Sequence, residues 1–307
     1  MKLPLRLTTW LTAAAAALLT AVGTAPAGAD DAWRKVGGDV RSGVSGAAYE
    51  GGTAAGADLL VVHDNKRSGQ RRLSRITHGE GSDVVAPITW DGPEPVDLEA
   101  IEAVPGLPGE YLALAARGIV YRLKVAGTTA TVTDYSPLPA IGEGDDYESF
   151  AIVAQNGQLA ATWADRGAGA DRSATLYAAA LTFAPWGQPQ WGTVTRRAYL
   201  APYPTDDGTR HISDITVTDS GRILASSAAD AGDDGPFDSA VSDAGRVTVA
   251  ANGRVRVTLA ASPNVLGKFP GYKIEAVECL PGSADAFLGT DDENLGGYVR
   301  TMPLCAT

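Results

Sequence analysis

Apolar positions in this chain fall in short runs of small and β-branched residues separated by glycine turns, and no stretch beyond the N-terminal region carries a helical period. Five segments start on a polar or acidic residue and run through small or β-branched residues to a glycine: Ser45-Gly46-Ala47-Ala48, Glu99-Ala100-Ile101, Glu148-Ser149-Phe150, Asp214-Ile215-Thr216-Val217 and Glu275-Ala276-Val277. Their starts recur every 49 to 66 residues, the length of one four-stranded unit with its loops. After each glycine comes a second apolar run, at Leu59 to Val62, Tyr111 to Ala115, Leu159 to Trp163, Ile223 to Ala225 and Ala286 to Leu288. Continuous rather than alternating, these runs predict strands covered on both faces. Clearer alternation follows in Ile119-Val120-Tyr121-Arg122-Leu123, and in Val247-Thr248-Val249 against Val255-Arg256-Val257 across the hairpin signal Asn252-Gly253.

Repeated four-stranded sheets predict an all-β, five-bladed β-propeller, with an open β-sandwich and a six-bladed count as the alternatives. The last segment runs out after a third strand near Met302, and the piece Trp33 to Val40 before the first segment is expected to supply the missing strand and close the ring. The extreme N-terminus reads differently. Lys2 and Arg6 precede an apolar run from Trp10 to Val22 and the small-residue signals Ala25-Pro26-Ala27 and Ala27-Gly28-Ala29, the layout of a secretory signal peptide over residues 1–29 rather than of a membrane anchor. The propeller domain is then 30–307, a secreted product with no membrane span, expected to be a monomer. Cys279 and Cys305 are the only cysteines and have no His or CxxC partner nearby, so one structural disulfide is expected.

Charge narrows the partners. A formal net charge of −11 argues against nucleic acid and anionic membranes and suits cations. The starts of inner strands and the loops after second strands open on the same face of a propeller, so Glu99, Glu148, Asp214 and Glu275, with Asp97, Asp146 and loop acids such as Asp64, Asp165, Asp230, Asp233 and Asp291, are expected around one mouth. Carboxylates converging on a narrow channel must either hold protons or hold a cation. Calcium, with its many oxygen ligands in loose geometry, is the expected cofactor, and Glu99, Glu148, Asp214, Glu275 and Asp291 are the candidate ligands. The competing reading is of solvated loop acids and Asx turns. Basic residues interleave with them: Arg117, Arg166 and Lys273 are candidates to clamp a phosphate, and His211, with His63, to carry a proton. Their alternative role is pairing with the neighbouring acids. No nucleophile elbow, HExxH, Walker or dinucleotide pattern is present, and Asp230-x-Gly232-x-Asp234-Gly235 lacks an EF-hand's remaining ligands.

Val96-Asp97-Leu98-Glu99-Ala100-Ile101, followed by Tyr111-Leu112-Ala113-Leu114 and Gly118-Ile119-Val120-Tyr121-Arg122-Leu123, resembles the phytase-like β-propellers, and Lys273-Ile274-Glu275-Ala276-Val277 and Gly289-Thr290-Asp291-Asp292 echo it. The resemblance implies a calcium-containing propeller, with phosphoester hydrolysis in some members; phytases have six blades, whereas this chain shows five segments. Two readings follow. One is an extracellular binding module that takes a small-molecule or phosphorylated ligand, a glycan or a protein. The other is a calcium-dependent phosphoesterase acting on phosphomonoesters. No general base is clearly marked, which favours the binding module.

Overall fold

The computed structural model describes residues 33–53, 56–79, 81–206, 208–229 and 232–306. The expected signal peptide and Asp230 lie outside these residues. After the short strand β1 (Arg34–Lys35) the chain forms successive antiparallel sheets. The first is β2 (Gly46–Thr53), β3 (Gly56–Val62), β4 (Leu73–His78) and β5 (Asp83–Asp91); the second is β6 (Leu98–Ala103), β7 (Glu110–Ala115), β8 (Ile119–Ala126) and β9 (Thr129–Pro137). The third contains β10 (Tyr147–Gln155), β11 (Gln158–Asp165) and β12 (Ala174–Phe183), with two short strands, β13 (Pro189–Trp191) and β14 (Thr195–Tyr199), both paired to β12. The fourth is β15 (Thr209–Val217), β16 (Arg222–Ala229), β17 (Ser239–Val249) and β18 (Val255–Lys268). The fifth has only β19 (Ile274–Cys279), β20 (Ala286–Thr290) and β21 (Tyr298–Met302) of its own.

The fifth sheet is completed by β1, which pairs with β21 through Arg34 opposite Val299 and Lys35 opposite Tyr298. Trp33 holds the closure by stacking on Tyr272 at 4.4 Å and meeting Phe269 edge-on. The Cys279–Cys305 disulfide ties the end of β19 to the segment beyond β21. The innermost strands β2, β6, β10, β15 and β19 touch in that cyclic order, with β19 against β2. The chain is therefore a five-bladed β-propeller.

Five apolar clusters lie one between each pair of adjacent blades, for example Leu60 with Tyr111, Leu114 with Trp163, Leu176 with Ile215, Leu224 with Leu288, and Leu59 with Phe287. A sixth blade or an open sandwich would not divide the core into five equivalent wedges. The second strands need apolar side chains on both faces for this reason: every residue of β7 from Tyr111 to Ala115 is buried, and so is all of β20. The outer strands of the first two blades also pair in parallel through Thr89–Asp91 and Thr129–Thr131, fusing those sheets at the rim.

Candidate functional site

A small local irregularity aims the acids. In the second, third and fifth blades the innermost strand shifts register between Leu98 and Ala100, between Tyr147 and Ser149, and between Ile274 and Ala276. The residue skipped in each is the glutamate: Glu99, Glu148 or Glu275. A bulged residue opposes no partner and can be re-aimed, here toward the channel mouth. Facing them come residues that follow the second strands, set by backbone bonds from Arg166 N to Asp146 O (3.0 Å) and from Asp291 N to Lys273 O (3.1 Å). Gly43 and Gly46 allow the close packing, since a Cβ on Gly43 would fall 2.1 Å from the Asp291 carboxyl carbon and one on Gly46 would fall 2.8 Å from the Glu99 carbonyl oxygen.

The result is a cavity of about 260 Å³ whose thirteen lining side chains are all ionisable. Nine are acids, among them Asp64, Asp97, Glu99, Asp146, Glu148, Glu275 and Asp291; four are the bases Lys66, Arg166, Arg210 and Lys273, leaving a formal excess of five negative charges. Arg166 lies 3.3 Å from both Asp146 and Glu148, Arg210 3.1 Å from Glu275, Lys66 3.1 Å from Asp97, and Lys273 3.2 Å from Glu275 while also pairing with Glu293. Among the described residues Glu99 and Asp64 have neither an ion pair nor a hydrogen bond.

Burial and mutual repulsion set the protonation. Desolvation, then Glu148, push Glu99 well above the ordinary carboxyl range, and desolvation with Glu275 does the same to Asp291. Asp64 is raised to about 6, by burial and then by Glu275; Glu148 is raised by burial to about 7, with Arg210 opposing. Burial lowers Lys273, but the carboxylates of Glu275 and Asp291 outweigh it and keep the ammonium charged. Among the described residues no group of three or more His, Cys, Asp or Glu side chains is arranged to hold a metal ion as it stands.

Of the residues singled out in the sequence, Glu99, Glu148, Glu275, Asp291, Arg166 and Lys273 line this cavity and Asp214, Arg117 and His211 do not. Asp214 pairs with Ser226 as Ala100 pairs with Leu114 and Ala276 with Gly289, so Ser213 occupies the glutamate position. One residue of slip turns the carboxylate away from the mouth. Asp214 instead accepts Val277 N at 2.7 Å, across to the fifth blade. Arg117 sits exposed in the turn after β7. His211 uses both ring nitrogens on backbone, Nε2 donating to Gly169 O at 2.7 Å and Nδ1 accepting from Ala201 N at 3.2 Å, which leaves none for proton transfer at the mouth. His63 is likewise held, by Gly43 O at 2.6 Å and Ser74 Oγ at 2.9 Å, and burial lowers its pKa to about 4. Asp165 accepts from Asp146 N at 3.0 Å and pairs with Arg172, so it braces the loop from below the lining.

Glu102 and Glu278 form a feature that the segment starts did not reveal. Each lies three residues after a mouth glutamate and lines a second cavity of about 270 Å³ at the other end of the channel, together with Thr216 and Tyr49. Glu278 accepts Tyr49 N at 3.0 Å, and Glu102 lies against the Ile152 amide. Burial, reinforced for Glu102 by Glu278, raises both carboxyls, Glu278 to about 7. The recurrence Glu-x-x-Glu at 99–102 and 275–278 was the available signal.

No family model matches the chain, and no curated protein matches it. Among solved structures it is similar to a mutant of the GH43 protein BlXynB from Bacillus licheniformis, at 14% identity over 68% of this chain with a TM-score of 0.41. It is similar also to the Bacteroides ovatus protein Xyloglucan PUL GH43B, at 15% identity over 84% of this chain with a TM-score of 0.42. The chain spans 42% and 56% of those two chains. No helix among the described residues is long and apolar enough to cross a membrane.

Proposed function

We propose that the charged mouth is a divalent-cation site, with calcium the ion whose preferences it meets, in an exported binding module rather than an enzyme. The observation that carries this reading is nine carboxyl groups set against four bases in a cavity without apolar lining, where Glu99 and Asp64 have no cationic partner. Burial and mutual repulsion make these acids hold protons unless a cation takes their place. An all-oxygen donor set suits a hard cation. Asp64, Glu99, Glu148, Glu275 and Asp291 are the residues that would hold it, and the ion would supply the charge that the four bases leave uncompensated. The strand-start motif shared in resemblance with phytase-like propellers supports the choice of ion, and the disulfide supports an oxidising compartment.

Phosphoester hydrolysis is the weaker reading. A phosphate would meet a net negative cavity whose cations Arg166, Arg210 and Lys273 are already engaged by carboxylates, and His211 is tied to backbone. Calorimetric titration of the metal-stripped protein with calcium at pH 7.5 tests the proposal. Saturable binding is expected, weakened at least about tenfold in Glu99→Gln and Asp64→Asn, the loss for one charge-assisted ligand. Absence of binding, or binding indifferent to both substitutions, refutes it; turnover of a phosphomonoester that depends on calcium would restore the enzyme reading.

A further inference from the structure

The outer parts of the third and fourth blades enclose a groove of about 960 Å³ at the end of the molecule opposite the acidic mouth. Its charge is inverted. Arg197, Arg254 and Arg256 line it and no acid does, in a chain whose formal net charge is −11. Strand geometry produces this arrangement. In β18 Val255 and Val257 point into the core, so Arg256 and, two residues before it, Arg254 share the opposite, outward face. Arg197 comes from β14 on the facing blade. Among the described residues none of the three guanidinium groups pairs with a carboxylate.

The groove is held open by bonds between the blades. Gln155 Oε1 accepts Val249 N at 2.9 Å and Asn156 Nδ2 donates to Val249 O at 2.8 Å, locking the β10–β11 turn to the end of β17. The walls are thus fixed before any ligand arrives, which lowers the cost of binding. Thr195, Thr248 and Asn252 add short polar side chains between the arginines, and no aromatic ring lines the groove. Guanidinium groups recognise carboxylate and sulfate oxygens in a fork, and hydroxyls and amides match sugar hydroxyls. The missing aromatics disfavour nucleic acid, whose unpaired bases need stacking platforms.

We propose that this groove binds an anionic polysaccharide, a chain bearing carboxylate or sulfate groups. The test is binding of the purified protein to polygalacturonate and to dextran sulfate by biolayer interferometry, with neutral dextran and a single-stranded oligonucleotide as comparisons, over a range of salt. Binding to one or both acidic polymers is expected, weakening with salt, with little affinity for neutral dextran; which polymer binds tells carboxylate from sulfate. The combined variant Arg197→Ala, Arg254→Ala, Arg256→Ala is expected to lose about tenfold in affinity, from the loss of three exposed charge contacts. Arg117→Ala, on an exposed turn outside the groove, should bind as the unaltered protein does. If the triple variant fails to fold, Arg254→Ala and Arg256→Ala singly, each expected to weaken binding about twofold, with Arg256→Lys also weakening it because an ammonium cannot form the fork, give the same reading. No binding to either acidic polymer, affinity unchanged in the arginine variants, or equal affinity for the oligonucleotide overturns the proposal.

Discussion

Lys273 is the residue at which the physics of the mouth is most exposed to test. Its ammonium is buried, 3.2 Å from Glu275 and paired also with Glu293, while its backbone N–H donates to Asp292 at 2.6 Å and fixes the strand start independently of the side chain. Lys273→Met keeps the length and apolar stem but removes the charge, leaving Glu275 and Asp291 to face each other in a desolvated site. Breaking a buried pair in this way costs about 3 kcal/mol or more at pH 7.5, which for a chain of this size lowers Tm by roughly 6–12 °C. Differential scanning calorimetry on metal-stripped protein measures it. Lowering the pH should shrink the deficit, because the stranded carboxyls can take up protons instead of repelling, and added calcium should shrink it at neutral pH for the same electrostatic reason. A variant melting within about 1 °C of the parent at pH 7.5 would show that the acids are not strongly coupled through Lys273, and the cation proposal would lose its premise.

Three further outcomes follow from the same geometry. Asp214→Ala strands the buried Val277 amide and should cost about 2 kcal/mol in urea unfolding, whereas Asp214→Asn keeps an acceptor and should cost far less; calcium affinity should change in neither, and a large change would return Asp214 to the ligand set. The carboxyls of Asp64 and Asp292, raised to about 6, and of Glu148 and Glu278, raised to about 7, bind more protons in the folded than in the unfolded state between about pH 4 and 7. Their stabilising contribution is therefore present at the acid end of that window and lost as pH rises through the folded pKa values, so metal-free Tm should climb from pH 8 down to pH 5. A flat or inverted profile would contradict the raised carboxyls. Replacing Cys279 and Cys305 by serine opens a loop spanning 26 positions and should cost on the order of 3 kcal/mol by chain entropy, read as a lower urea midpoint with the fold's circular dichroism retained.

Much of this architecture was legible because blades repeat. Continuous apolar second strands, the Asn252-Gly253 turn and a last unit short of one strand pointed to a closed ring, and β1 against β21 completes it. The mouth was legible to the extent that its acids sit at equivalent positions. What spacing alone did not carry is register: the offset in the fourth blade, between Arg210 and Asp214, is a property of hydrogen bonding with β16 that no side-chain pattern announces. Nor did residue type separate the histidines from the site, since His63 and His211 are of the chemistry that titrates but face backbone carbonyls in three dimensions. The arginine groove was invisible for a different reason, being assembled from strands of two blades about 57 positions apart.

The two sets of buried acids answer one structural problem at two depths. In every blade the innermost strand is a sheet edge, and its inward N–H groups have no neighbouring strand to bond. Acids from adjacent blades accept several of them: Asp214 takes Val277 N, Glu278 takes Tyr49 N, and Glu102 lies against the Ile152 amide. A carboxylate used in this way has a fixed partner and needs no ion. Where the strand bulges at Glu99, Glu148 and Glu275 the carboxylate is lifted out of that pattern and set beside others of its own charge. The same residue type is therefore a strut in register and a candidate ligand one step out of it. A substitution that removed the bulge would convert the second into the first, and with it abolish the charge excess that makes the mouth attractive to a cation.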